Sequence, residues 1–209
     1  MRAMNGLRIC AVAAALSLSG AGVAHAAATV TQFKANGAMA SHNSFDGVTA
    51  YDLAVNRNDT GTGTTTFFSF ITQTCDANFT VCTGKIGFGN IPNGDFSATS
   101  AVASLNTNLA TNAGFQLFNY VQDNANGTFT QTPTAGGIVT INWNKVPRQS
   151  QSFTGTQTLV SGGFSTRLTG TQTSTSARTT GTLLGVALPT TSASFIGTNS
   201  SSQIVIFRN

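Results

Sequence analysis

Glutamate does not occur in this chain, and its acidic groups are six aspartates. Paired-carboxylate chemistry would have to come from Asp46, Asp52, Asp59, Asp76, Asp95 and Asp123. Several of these sit beside Asn or Gly, where turns place Asp in any case. Charged residues make up only 8 % of the sequence, against a quarter or so in ordinary soluble domains. There is no cluster of Lys or Arg, so the chain lacks an electrostatic footprint for nucleic acid or an anionic membrane surface. Aromatic hydrogen-bonders are scarce: one Trp and two Tyr against 15 Phe. That balance favours core filling over a sugar-stacking platform or the aromatic girdles of a membrane barrel. No apolar run is long enough for a transmembrane helix. No G-x-S-x-G elbow occurs, and the Gly84–Gly89 patch precedes no helical pattern that would make it a phosphate loop.

The N-terminus has the composition of a secretory signal peptide spanning 1–26. Arg2 and Arg8 supply its positive region, Ile9 to Leu18 its apolar core, and Ala24-His25-Ala26 an A-x-A cleavage site. Cleavage removes Cys10, His25 and both of these arginines, leaving Ala27 to Asn209 as one domain with two cysteines and a net charge of +2. An even pair of cysteines suits an oxidising compartment. The expected location is therefore exported: periplasmic, extracellular or at the cell surface.

What the chain has in abundance is Thr, Ser, Asn and Gly. Short polar side chains compete with helices for backbone hydrogen bonds, whereas Thr, Phe, Val and Ile fit a pleated surface. Many short runs of the latter, punctuated by Gly, Asn, Asp and Pro, predict an all-β fold. The expected form is a single β-sandwich, Ig-like or jelly-roll-like, of many short antiparallel strands over 27–209. Strands are expected near Val30–Ala38, Ala50–Asn56, Thr64–Thr74, Lys85–Gly89, Ala101–Asn106, Phe115–Val121, Gly127–Gln131, Ile138–Asn144, Ser152–Val160, Phe164–Thr175, Thr180–Leu188, Ser194–Gly197 and Gln203–Phe207. Thr64–Thr74 carries apolar groups on both faces, as an inner strand does. Cys75 and Cys82 bracket Asp76-Ala77-Asn78-Phe79-Thr80-Val81, a turn-forming run that places them across the neck of a hairpin as a structural disulfide. With no His or Glu near, two thiols make a poor metal site.

Phe153–Thr158 (FTGTQT) is echoed by Leu168–Thr173 (LTGTQT) on either side of Gly162-Gly163. A Gly-Gly hairpin turn sets residues i and 325 − i opposite each other, pairing Thr154 with Thr171 and Thr156 with Thr169. Phe153, Leu159, Phe164 and Leu168 are then expected to face a core, with Gly155 and Gly170 leaving room for something bulky. The other face becomes a ladder of Thr154, Thr156, Thr158, Thr169, Thr171 and Thr173 beside Arg167. This ladder is the candidate interaction surface.

The segments IGFGNIPNGDFS, AVASLNTN, VTINW, GTLLGVALP and IGTNSSSQIVIFRN, together with the paired G-T-x-T strands, resemble small uncharacterised secreted bacterial proteins. The resemblance implies a compact, β-sandwich-like secreted domain and supplies no functional residues.

Chemistry is thinly represented. His42, Ser44 and Asp46 contain the letters of a hydrolase triad. Their segment is rich in turn formers, and i, i+2 side chains in an extended chain stand roughly 6–7 Å apart. A solvated, non-catalytic loop is expected there. Gln122–Gly127 and the Asn56/Asn58/Asp59 group are oxygen-rich but lack a full calcium ligand set, so no metal or other cofactor is expected. These features imply a non-catalytic binding or structural module with a protein or glycan partner. The alternatives are a small outer-membrane β-barrel and an Asp-dependent hydrolase of an extracellular polymer.

Overall fold

In the computed structural model, residues 29–161, 164–190 and 192–207 are described. The expected signal peptide and the Gly162-Gly163 turn lie outside them. Twelve strands form one antiparallel sheet: β1 (Thr29–Phe45), β2 (Thr49–Thr60), β3 (Gly63–Cys75), β4 (Val81–Ile91), β5 (Phe96–Ala98), β6 (Val102–Asn108), β7 (Phe115–Asp123), β8 (Thr128–Pro133), β9 (Ile138–Ser161), β10 (Phe164–Leu183), β11 (Val186–Ala187) and β12 (Ser192–Phe207). The single helical element among the described residues is a 3-10 turn at Asn93–Asp95. The all-β, antiparallel expectation holds. The strand order is β5-β6-β9-β10-β12-β1-β2-β3-β4-β7-β8, with β11 hydrogen-bonded to β10.

The order divides into two arms. One runs outward from β1 through β2, β3, β4 and β7 to β8, and the other from β12 through β10, β9 and β6 to β5. The seam between them is the pairing of β1 with β12, from Thr29 opposite Phe207 to Ser44 opposite Ser192. The arms also meet through their inward faces. The indole N–H of Trp143 on β9 donates to the carbonyl of Ser41 on β1 at 2.9 Å, although β10 and β12 lie between these strands in the sheet. The sheet therefore curls, and Phe96, Leu105, Ile141 and Trp143 share one core with Leu53, Val55, Phe68 and Ile196.

Period-two patterning builds this core. On β2, Tyr51, Leu53 and Val55 are buried while Asp52 and Asn56 are exposed. Each fully buried Trp, Phe or Leu contributes about 1.5–3 kcal/mol by leaving water. Phe68, Phe70 and Phe115 pack with ring centroids 5.6–6.2 Å apart. Gly87 makes room for them, since a Cβ there would lie 2.6 Å from Phe70 and 2.8 Å from Phe115.

Cys75 and Cys82 stand opposite each other at the end of the β3–β4 hairpin and form the expected disulfide. Its loop is tied by Asp76, whose carboxylate accepts the Thr80 N–H at 2.7 Å. Asn124 donates from its side chain to the Phe79 carbonyl at 2.7 Å.

Candidate interaction face and the buried histidine

The Thr hairpin has the register expected from its sequence. Thr154 opposes Thr171, Thr156 opposes Thr169, and Thr158 opposes Arg167. The rows continue across the sheet: Thr171 is followed by Ser200, Asn36, Asp59 and Thr64, and Thr169 by Ser202 and Lys34. Thr173 continues into Thr198 and Ala38. One row thus crosses six strands, Thr154-Thr171-Ser200-Asn36-Asp59-Thr64, a width of about 24 Å at the usual strand spacing. Thr154, Thr156, Thr158, Arg167 and Thr171 are exposed, while Thr169 and Thr173 are half-buried. Within the row, Thr64 donates to the Asp59 carboxylate at 2.6 Å and Arg57 pairs with it at 3.2 Å. Those contacts, the Thr64 hydroxyl first, hold Asp59 below the ordinary carboxylate range. Asn56, Asn58 and Asp59 lie in β2, so they are not the loop that their composition suggests.

The face assignment differs from expectation. Along β10, Thr171 and Thr173 share a side with Thr175, Ala177 and Thr179, which are buried. The ladder is therefore the core-facing side of the sheet, prolonged past the point where the opposite arm covers it. Leu168, expected in a core, is 39 % exposed. A Cβ on Gly155 would meet nothing within 4 Å, so nothing bulky packs there. The side chains of Phe153, Leu159 and Phe164 lie outside the described residues. The physical reason is a bulge: β9 advances from Lys145 to Ser150 while β10 moves only from Ala177 to Thr175. Pro147, which has no N–H to give a ladder, falls in that gap.

His42 is the second departure. Its segment is strand rather than solvated loop, and the imidazole is fully buried. Its Nε2 lies 2.8 Å from Ser44 Oγ and its Nδ1 3.1 Å from Ser194 Oγ, and Thr179 donates to Ser194 at 2.6 Å. The 2.8 Å contact with Ser44 closes the separation expected of i, i+2 side chains. Burial pushes the His42 pKa down, favouring the neutral ring. Both ring nitrogens are engaged and no solvent reaches them, so the arrangement pins β1 to β12 and β10. Asp46 is no third member. It accepts the N–H groups of Thr49 at 2.7 Å and Val48 at 2.9 Å, and the Tyr51 hydroxyl at 3.5 Å. These contacts, Thr49 first, lower its pKa. The alternation Ala40-His42-Ser44 was the signal for a buried strand, obscured by the Asn and Ser between.

No family model, curated protein or solved structure matches this chain. Among the described residues no three His, Cys, Asp or Glu side chains gather as a metal site. In Gln122–Gly127, Asp123 accepts the N–H groups of Ala125 and Asn126 and the Asn126 amide, and these bonds occupy its carboxylate within its own turn.

Proposed function

We propose that this chain is an exported, non-catalytic binding module that holds a glycan or a protein surface against the hydroxyl-lined ladder. The observation that carries the reading is the polar row crossing six strands on a sheet face that the core leaves uncovered. A neutral hydrogen bond in water is worth about 0.5–1.5 kcal/mol. A face of hydroxyls therefore suits a partner presenting many matching groups in repeat. The lack of catalysis is supported by the sealed His42 cluster and by the turn-bound carboxylates of Asp46 and Asp123. Export is supported by the leader-like N-terminus and the disulfide, with the periplasm, the medium or the cell surface as destination. On β2 the outward Asp52 and Asn56 are unlike a lipid-facing strand, whereas the neighbouring β3 and β4 leave Phe67 and Phe88 exposed.

The test is retention of the oxidised, leader-free chain on insoluble polysaccharides and on envelope protein fractions, compared with a variant carrying Thr156→Arg and Thr169→Arg. Those positions are directly opposed, so two long cations would block the ladder without entering the core. Saturable retention weakened about tenfold or more in the variant supports the reading. Retention unchanged by both arginines would remove the ladder as the binding face.

A further inference from the structure

At the other end of β10 from the ladder, a groove of ≈ 580 Å³ opens between the β2–β3–β4–β7 strands and the β10–β11 turn. Its size falls in the range of small-molecule sites. One side is apolar: Leu184 and Val186 from the turn face Tyr51 and Val121. Val186 is 54 % and Val121 44 % exposed, large β-branched groups left in water on both walls. Leu184 sits at φ +53 and Gly185 at φ +83, a left-handed pair at the tip of a two-residue hairpin. The first of those positions ordinarily takes Asn, Asp or Gly. A leucine there carries an apolar side chain to the groove at a conformational cost. The polar side is Lys85, whose ammonium donates to the Asn119 amide oxygen at 2.6 Å. Among the described residues no carboxylate lies in ion-pair range of that ammonium, and two of its three donors remain.

We infer that the groove binds a small amphipathic monoanion, a carboxylic acid with an apolar tail, its carboxylate on Lys85 and its tail along Val121, Leu184 and Val186. A single ammonium, with no guanidinium fork beside it, matches one negative charge on a compact head. The tail would cover the valines that the fold leaves wet. This site is separate from the ladder and shares no residue with it.

The test is calorimetric titration of the oxidised, leader-free chain with dodecanoate below its micelle concentration. Dodecanol and dodecyltrimethylammonium serve as probes with the same tail and a neutral or positive head. Dodecanoate should bind saturably, with the alcohol about tenfold weaker and the cation weaker still. Lys85→Met should bring dodecanoate down to the alcohol's affinity and leave the alcohol unchanged. Val186→Asp, at an exposed position that the fold does not need, should weaken both. The inference is overturned by the absence of saturable dodecanoate binding, by equal binding of all three probes, or by dodecanoate binding that Lys85→Met leaves intact. Near-ultraviolet circular dichroism identical to the parent's secures the fold of each variant.

Discussion

At the scale of single residues, His42 couples the core to pH. Its folded pKa is depressed by burial, below the 6.5 that is ordinary for the unfolded chain. Its contribution is therefore complete above about pH 6.5 and is lost progressively as the pH falls from there toward the folded-state value. The urea midpoint should drop between about pH 7 and about pH 5, and His42→Gln should flatten that slope. An unchanged slope in the variant would mean that His42 is not the group responsible. Asp46, Asp59 and Asp123, all with lowered pKa values, act in a more acid window. Their stabilisation is present above 3.8, their unfolded value, and is lost as the pH falls below it. Thr107 offers a contrast, because its buried hydroxyl finds no partner among the described residues. Thr107→Val should hold or raise stability by about 1 kcal/mol, read as a higher melting temperature. Gly87→Val should do the reverse, costing about 1–3 kcal/mol as the Phe70 and Phe115 rings are forced aside. The abundance of Phe promised core filling, yet Phe68, Phe70 and Phe96 are buried while Phe45, Phe67, Phe79, Phe88, Phe129 and Phe195 are exposed, and neither Thr107 nor Gly87 stands out in sequence from the many Thr and Gly around it.

At the scale of elements, the β3–β4 hairpin was legible almost entire. Its β-branched run, its turn formers and its two cysteines all argue for the same structure, and the disulfide closes where they place it. Replacing both cysteines by serine should lower stability by roughly 2.5 kcal/mol on the chain-entropy estimate for so short a loop, measured by denaturant unfolding. A loss near zero would show that Asp76 and Asn124 hold the turn unaided. The long strands were less legible. β9, β10 and β12 each join two runs that the sequence separates, because NKVPRQS, TSTSAR and TNSSS carry the residues that end strands elsewhere. In β10 and β12, which lie inside the sheet, a neighbour on each side overrides that local preference, whereas the β9 run is the bulge itself. The same blind spot inverted the ladder. Register follows from the echoed motif, but which face meets the core depends on a bulge whose partner residues are distant in the chain.

At the scale of the whole molecule, two arms hang from one seam, the pairing of β1 with β12. Deleting residues 192–207 should leave chains without a cooperative unfolding transition, since β10 and β1 each lose a neighbour and His42 loses Ser194. A sharp transition in that truncation would show that one arm folds alone. Order of synthesis gives the seam a further meaning. β1 is made first among the strands and β12 last, and they are neighbours only in the finished sheet. Until β12 has emerged, the earliest strand has an open flank and the two arms can meet through their inward faces alone. A chain of this topology can therefore close its sheet only once its final strand has been made.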